Sequence, residues 1–162
     1  MADGQKVQFY GSMEGATYKL GRISVAFKTA EGDDDSAYTI LETLEPPGSG
    51  AAYHRHPTYD ERFLVCEGSY EFWVEGEKRI LGPNDMVFIP RGTPHSFKCL
   101  GPETGRLLTI SSPGGLFQKF LKEVHAAMVD SGHNTSAPAV DFRAIAQRHG
   151  MEFLPPPEPP KA

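Results

Sequence analysis

The strongest constraint on the fold is the rhythm between Arg22 and Ser112, where short apolar runs are cut every few residues by turn formers. "RISVAF" sets Ile23, Val25 and Phe27 on one side of an extended segment, and "AYTILETL", "DMVFIP", "HSFKCL" and "RLLTIS" repeat the pattern. "RFLVCEGSYEFWVEGEKRIL" reads as two strands joined across Glu67 and Gly68, with Tyr70, Phe72 and Val74 alternating against Glu71, Trp73 and Glu75. A period of two belongs to strands with one buried face, and connections this short favour antiparallel hairpins and meanders over parallel crossovers. "EGDDDS" and "PPGSGA" are polar or glycine-rich breaks between strands. An all-β barrel or sandwich over residues 20–113 is predicted, preceded by an N-terminal segment, 1–19, that supplies apolar material for a subunit interface.

After "SSPGG" the period lengthens. Phe117, Phe120, Leu121, Val124 and Met128 recur at intervals of three and four, so "LFQKFLKEVHAAMVD" is predicted to be an amphipathic helix. Its apolar stripe must be covered, most simply by the outside of the β domain or by a partner subunit. "SGHNTSAP" reads as a loop; Asp141 can then cap a shorter helix, "FRAIAQRHG", that stops at Gly150. Residues 114–150 are thus helical and 151–162 a proline-rich tail, in which "LPPPEPPKA" lacks the N–H donors that a ladder needs and is expected to be extended.

At 162 residues the chain has room for one domain and its appendages. A net charge of -5, with no stripe of Lys or Arg, argues against a nucleic-acid partner. No apolar run approaches the roughly 18 residues that a membrane span needs, and the N-terminus has no signal-peptide core, so a cytoplasmic protein without a membrane partner is expected. Cys66 and Cys99 belong to no C-x-x-C pair and are expected as buried, reduced thiols.

The histidines carry the chemistry. His54 and His56 stand two apart in "AAYHRHPTYDE", so a strand would project both from one face. A turn at Pro57 and Thr58 would bring Glu61 back over that face, with Phe63 and Val65 as apolar neighbours. The turn "PRGTP" delivers His95 at the start of another strand, with Phe97 and Cys99 on its side. Three imidazoles and a carboxylate suit a first-row transition metal and leave two octahedral positions open, although an H-x-H pair alone is also what an exposed turn produces by chance. Tyr53, Tyr59 and Asp60 read as wall or surface, and His125, His133 and His149 as surface residues.

Two motifs bind these pieces together. Gly48, His54, His56, Glu61 and Gly68 fit the spacing G-x5-H-x-H-x(3,4)-E-x6-G, while Asn84, Pro90, Gly92, His95 and Cys99 align with G-x5-P-x-G-x2-H-x3-N and depart from it at the first and last positions. Together they resemble the cupin superfamily. The resemblance implies a single jelly-roll β-barrel with one or two C-terminal helices, and metal ligands at His54, His56, Glu61 and His95. Asn84 in place of a turn glycine is tolerable because Asn enters the left-handed region more readily than other residues, and Cys99 replaces a position that is no ligand in the family.

From about Leu20 to Val129 the chain is similar to small single-domain cupins of the quercetin 2,3-dioxygenase-like type. That likeness implies a metal-dependent dioxygenase acting on a small aromatic or enolic compound, flavonol-like or diketone-like, with one divalent ion (Fe, Mn, Ni, Co, Cu or Zn) and Glu61 as ligand and catalytic base. Similar cupins are isomerases or lyases in which the ion acts as a Lewis acid. Others bind small molecules without turnover, and small cupins commonly form homodimers.

Overall fold

The computed structural model describes residues 7–29, 37–133 and 140–156. The loop expected at "EGDDDS", part of "SGHNTSAP" and the end of the proline-rich tail lie outside the described residues. Ten strands precede the helices: β1 (Ala16–Leu20), β2 (Ile23–Phe27), β3 (Thr39–Glu45), β4 (Gly50–Arg55), β5 (Asp60–Glu67), β6 (Ser69–Val74), β7 (Glu77–Leu81), β8 (Met86–Ile89), β9 (His95–Leu100) and β10 (Gly105–Ser112). Helices α1 (Leu116–His133) and α2 (Phe142–Arg148) follow, and then a two-residue strand, β11 (Glu152–Phe153).

The strands form two sheets, one in the order β1-β2-β3-β10-β5-β8 and the other β11-β4-β9-β6-β7. Every pairing between strands is antiparallel, the jelly-roll arrangement expected. "RFLVCEGSYEFWVEGEKRIL" makes three strands, not two, because Glu75 and Gly76 form a second turn before β7. The break at Gly68 is also no hairpin: β5 belongs to one sheet and β6 to the other. Gly68 sits at φ +84°, and a Cβ there would lie 2.8 Å from the Gly105 Cα, so the corner requires a residue without a side chain.

The facing sides of the sheets make the core. Phe63 of β5 meets Phe72 of β6 and Phe97 of β9 with ring centroids 5.4 and 5.3 Å apart, and Val65, Tyr70, Ile89, Cys99 and Leu107 complete the buried part of this cluster. A second cluster joins Val25, Phe27 and Leu41 to Phe120, Leu121 and Val124 of α1 and to Ile145, Ala146 and Met151. The stripe of α1 therefore does not lie on the outside of the barrel or await a partner. Register places Phe27 beside Leu41, Leu41 beside Thr109 and Thr109 beside Phe63, so the helix closes the open side of the interior.

Other boundaries move for local reasons. Residues expected as an N-terminal segment include β1, which pairs with β2 over its whole length, and the Met13 N–H donates to Glu42 on the outer face of the sheet. Helix α1 continues to His133, three residues beyond the expected end. The segment expected as tail opens with β11, paired with β4, and the Leu154 N–H donates to the Tyr53 carbonyl before the prolines end the ladder. Asn84 adopts φ +71°, as its place in the turn anticipated. Cys99 is buried and Cys66 half-buried, and both are free thiols. Among the described residues no helix is long and apolar enough to cross a membrane.

Candidate metal centre

His54, His56, Glu61 and His95 converge. One ligand atom from each lies within 4.8 Å of the others, and all four residues are buried. His54 and His95 are direct partners across β4 and β9, where one extra residue between Ala51 and His54 bulges β4 and turns His54 inward. His56 follows the end of β4, held where its carbonyl accepts the Gly92 N–H. Glu61 enters from the opposite sheet, beside Ile89 of β8 and Ser111 of β10.

Each imidazole is oriented by its own backbone. Nδ1 of His54 lies 2.7 Å from the Ala52 carbonyl, that of His56 3.1 Å from the Tyr59 carbonyl and that of His95 3.0 Å from the Thr93 carbonyl. A carbonyl oxygen only accepts, so Nδ1 carries the hydrogen and, in the neutral ring, Nε2 presents a lone pair. Those lone pairs meet an anion: Glu61 Oε2 is 2.8 Å from His56 Nε2 and 3.3 Å from His95 Nε2. None of these three atoms has a hydrogen-bond partner when both nitrogens act as acceptors, and each is shut off from solvent. Acceptors this close require positive charge between them, either a proton or a cation.

The titration behaviour reflects that demand. Burial alone would raise the Glu61 carboxyl, but the imidazoles of His56 and His95 hold it down at about 2. Burial depresses His54 to about 4, and the neighbouring His95 ring acts in the same direction. His56 is raised, because Glu61 outweighs the burial that opposes it. An N3O set with fixed tautomers, backbone-anchored rings and unspent lone pairs fits a divalent first-row ion, which would take the place of the proton.

The walls separate what matters from what does not. Tyr59 is fully buried, stacked on His56 with centroids 4.2 Å apart and planes at 9°, and packed against Phe117. Tyr53 is half-buried next to Trp73, and Asp60 pairs outward with Arg91 at 2.9 Å. His125 accompanies Tyr18 and His149 accompanies Glu123, far along the chain from the cluster. His54 and Glu61 form part of the wall of a cavity of about 350 Å³ whose other sides are mostly apolar: Leu41, Phe63, Phe97, Phe120, Leu121 and Phe153. The sequence reading did not anticipate the last three as walls, nor Glu45, which also reaches this cavity. The strand alternation that buries Leu41 also turns Glu45 inward, and that was the available signal.

Comparison with known proteins gives the same frame. Residues 40–111 match the family model described as a cupin domain. The chain is similar to quercetin 2,3-dioxygenase of Bacillus subtilis strain 168, with 28% identity over 104 residues, 64% of this chain and 29% of that protein. It is also similar to dimethylsulfoniopropionate lyase DddQ of Ruegeria pomeroyi, with 33% identity over 97 residues, 56% of this chain and 46% of the other. The chain thus spans less than half the length of both relatives. Among solved structures, KdgF from Halomonas sp. superposes with a TM-score of 0.58 at 23% identity, over 67% of this chain and 94% of that one, a likeness of fold.

Proposed function

The chain is a small cupin similar to quercetinase-like proteins, and from that premise we propose that it is a metal-dependent oxidoreductase, a dioxygenase of small aromatic or enolic compounds. One observation carries the proposal: the buried three-histidine, one-glutamate cluster opens onto a predominantly apolar cavity of about 350 Å³. That size suits a small organic molecule, and the apolar walls favour a ring or enolic chain over a sugar or a zwitterion. An ion held by His54, His56, Glu61 and His95 would supply Lewis acidity toward the substrate and the redox chemistry that a dioxygenase needs.

The residues of the chain do the rest. Phe63, Phe97 and the face of α1 hold the apolar body and exclude water. Glu61 is the anionic oxygen on the wall at the cluster, and we assign it the enol proton. Burial beside Phe63 works to strengthen its proton affinity, in opposition to His56 and His95. The Nδ1–H bonds to Ala52, Tyr59 and Thr93 keep the imidazoles from turning away as substrate enters.

The test is oxygen uptake by protein loaded in turn with Fe, Mn, Ni, Co and Cu, in the presence of a flavonol or a β-diketone. Consumption that disappears in His95→Ala is expected; no uptake with any loaded ion and any member of the panel would refute the dioxygenase. The 33% identity to a lyase supports a second reading, in which the same cluster activates a carbonyl substrate without oxygen. Turnover under nitrogen with Zn²⁺ as effective as Fe²⁺ would select it. In either reading the protein works in the cytoplasm as a homodimer. With most of the stripe of α1 spent inside the chain, exposed Val7 and Phe9 of the N-terminal segment and Ile80, Met86 and Phe88 of the sheets offer apolar material for such contacts.

A further inference from the structure

Two acidic residues of β3 are buried, and they are treated in opposite ways. Glu42, on the outer face, is paired with Lys28 at 2.9 Å and Arg106 at 2.8 Å and accepts the Met13 N–H. Glu45, on the inner face and 2% exposed, meets no cation among the described residues: Oε1 accepts the Thr43 hydroxyl at 2.9 Å, and Oε2 has no partner among them. An unpartnered carboxyl oxygen in an apolar interior costs stability, so packing alone gives no account of it.

Glu45 faces the open interior on one side only: its partner across β10 is Gly105, where a Cβ would lie 2.4 Å from the Tyr70 hydroxyl, so the Tyr70 ring already fills that side and the cavity lies on the other. That hydroxyl has no nitrogen or oxygen partner among the described residues. Glu45 and Thr43 face the same cavity as His54 and Glu61, but from the other end. Glu61 lies beside Ser111 and Ser111 beside Thr39, six residues before Glu45 and so on the order of 20 Å along β3. Between the two ends the lining is mostly apolar, with Val25, Leu41 and Phe63 on one sheet and Phe97 on the other, and Thr109 between Leu41 and Phe63 as a polar exception.

We propose that Glu45 is a second polar anchor of the cavity, which binds the remote hydroxyl or carbonyl of an elongated, uncharged, otherwise apolar ligand whose opposite end lies at the wall formed by His54 and Glu61. The identity of the reacting end rests on the function proposed above; the anchor itself does not. Burial lifts the Glu45 carboxyl to about 7, so near neutrality it retains a proton in part of the population and can donate as well as accept. A carboxyl of this kind selects for a neutral polar tip, since an ammonium group would have to be stripped of water in the same apolar surroundings.

The test compares 4-phenylphenol with biphenyl by calorimetry on metal-loaded protein. In the wild type the phenol should bind roughly tenfold more tightly, the worth of one added hydrogen bond. Glu45→Gln, which retains a donor and an acceptor, should keep the preference, and Glu45→Met should abolish it while biphenyl binds at least as well. An unchanged preference in Glu45→Met would mean that the hydroxyl is read elsewhere, at the cluster for example, and would overturn the proposal. So would failure of both compounds to bind the wild type, or tighter binding of 4-(aminomethyl)biphenyl than of the phenol that is lost in Glu45→Gln. Metal content measured on the same samples separates the two ideas: a Glu45-dependent preference in protein that takes up no metal would sink the enzyme and leave the anchor.

Discussion

Replacing Glu45 by Gln should stabilise the protein, and increasingly so as pH rises. The side chain is 2% exposed, its one bond comes from Thr43, and burial moves its titration from an ordinary 4.5 to about 7. Between those values the folded state keeps a proton that the unfolded chain has released, so stability falls as pH climbs through the window and levels off above 7. The full difference corresponds to about 3 kcal/mol, on the scale of 1.4 kcal/mol per tenfold change in proton affinity. Gln keeps the acceptor for Thr43 and has nothing to ionise. Urea unfolding of both proteins at pH 5, 6, 7 and 8, with chelator present, reads the effect as a widening gap between midpoints that reaches about 1–2 M at pH 8. The cluster titrates alike in both proteins and cancels from the difference. A gap that stays constant, or narrows as pH rises, would refute the assignment of Glu45 as a buried, unpaired acid.

Other substitutions test the scaffold. Gly50→Ala would set a Cβ 2.1 Å from the Phe97 carbonyl, at the seam that pairs His54 with His95; a loss of about 2–4 kcal/mol in denaturant unfolding is expected, together with weaker metal retention. Leu121→Ala removes a buried side chain of α1 that lines the cavity and should cost about 2–4 kcal/mol, whereas a loss below about 1 kcal/mol would mean that the helix does not seal the interior. Ending the chain at Gly150 removes buried Met151 and the strand beside His54, and should lower the thermal midpoint measurably; an unchanged midpoint would show β11 to be dispensable.

The centre was more legible than the cavity, and the reason is the range of the interactions. The four residues His54, His56, Glu61 and His95 stand out by spacing alone, two turns carry Glu61 and His95 to the centre, and the motif spacing joins the halves; the bulge that turns His54 inward and the end of β4 before His56 are not visible in the alternation. The corner at Gly68 was misread as a hairpin because alternation in β5 and β6 looks the same whether the strands pair or face each other across the core. The stripe of α1 was visible, but not what it covers, since its contacts with Val25, Phe27 and Leu41 span about a hundred residues of chain. Glu45 escaped notice because a carboxylate at the end of a strand reads as a surface residue, although its parity with Leu41 turned it inward. Phe153 escaped because the prolines after it dominate the local pattern.

The most direct test of the metal centre is elemental analysis of purified wild-type protein and His95→Ala after reconstitution with first-row divalent ions and removal of excess. The wild type should hold close to one ion per chain, and His95→Ala, which leaves a vacancy among His54, His56 and Glu61, should hold far less while still folding. A wild type that retains no ion from the whole series, or a variant that retains as much as the wild type, would contradict the account.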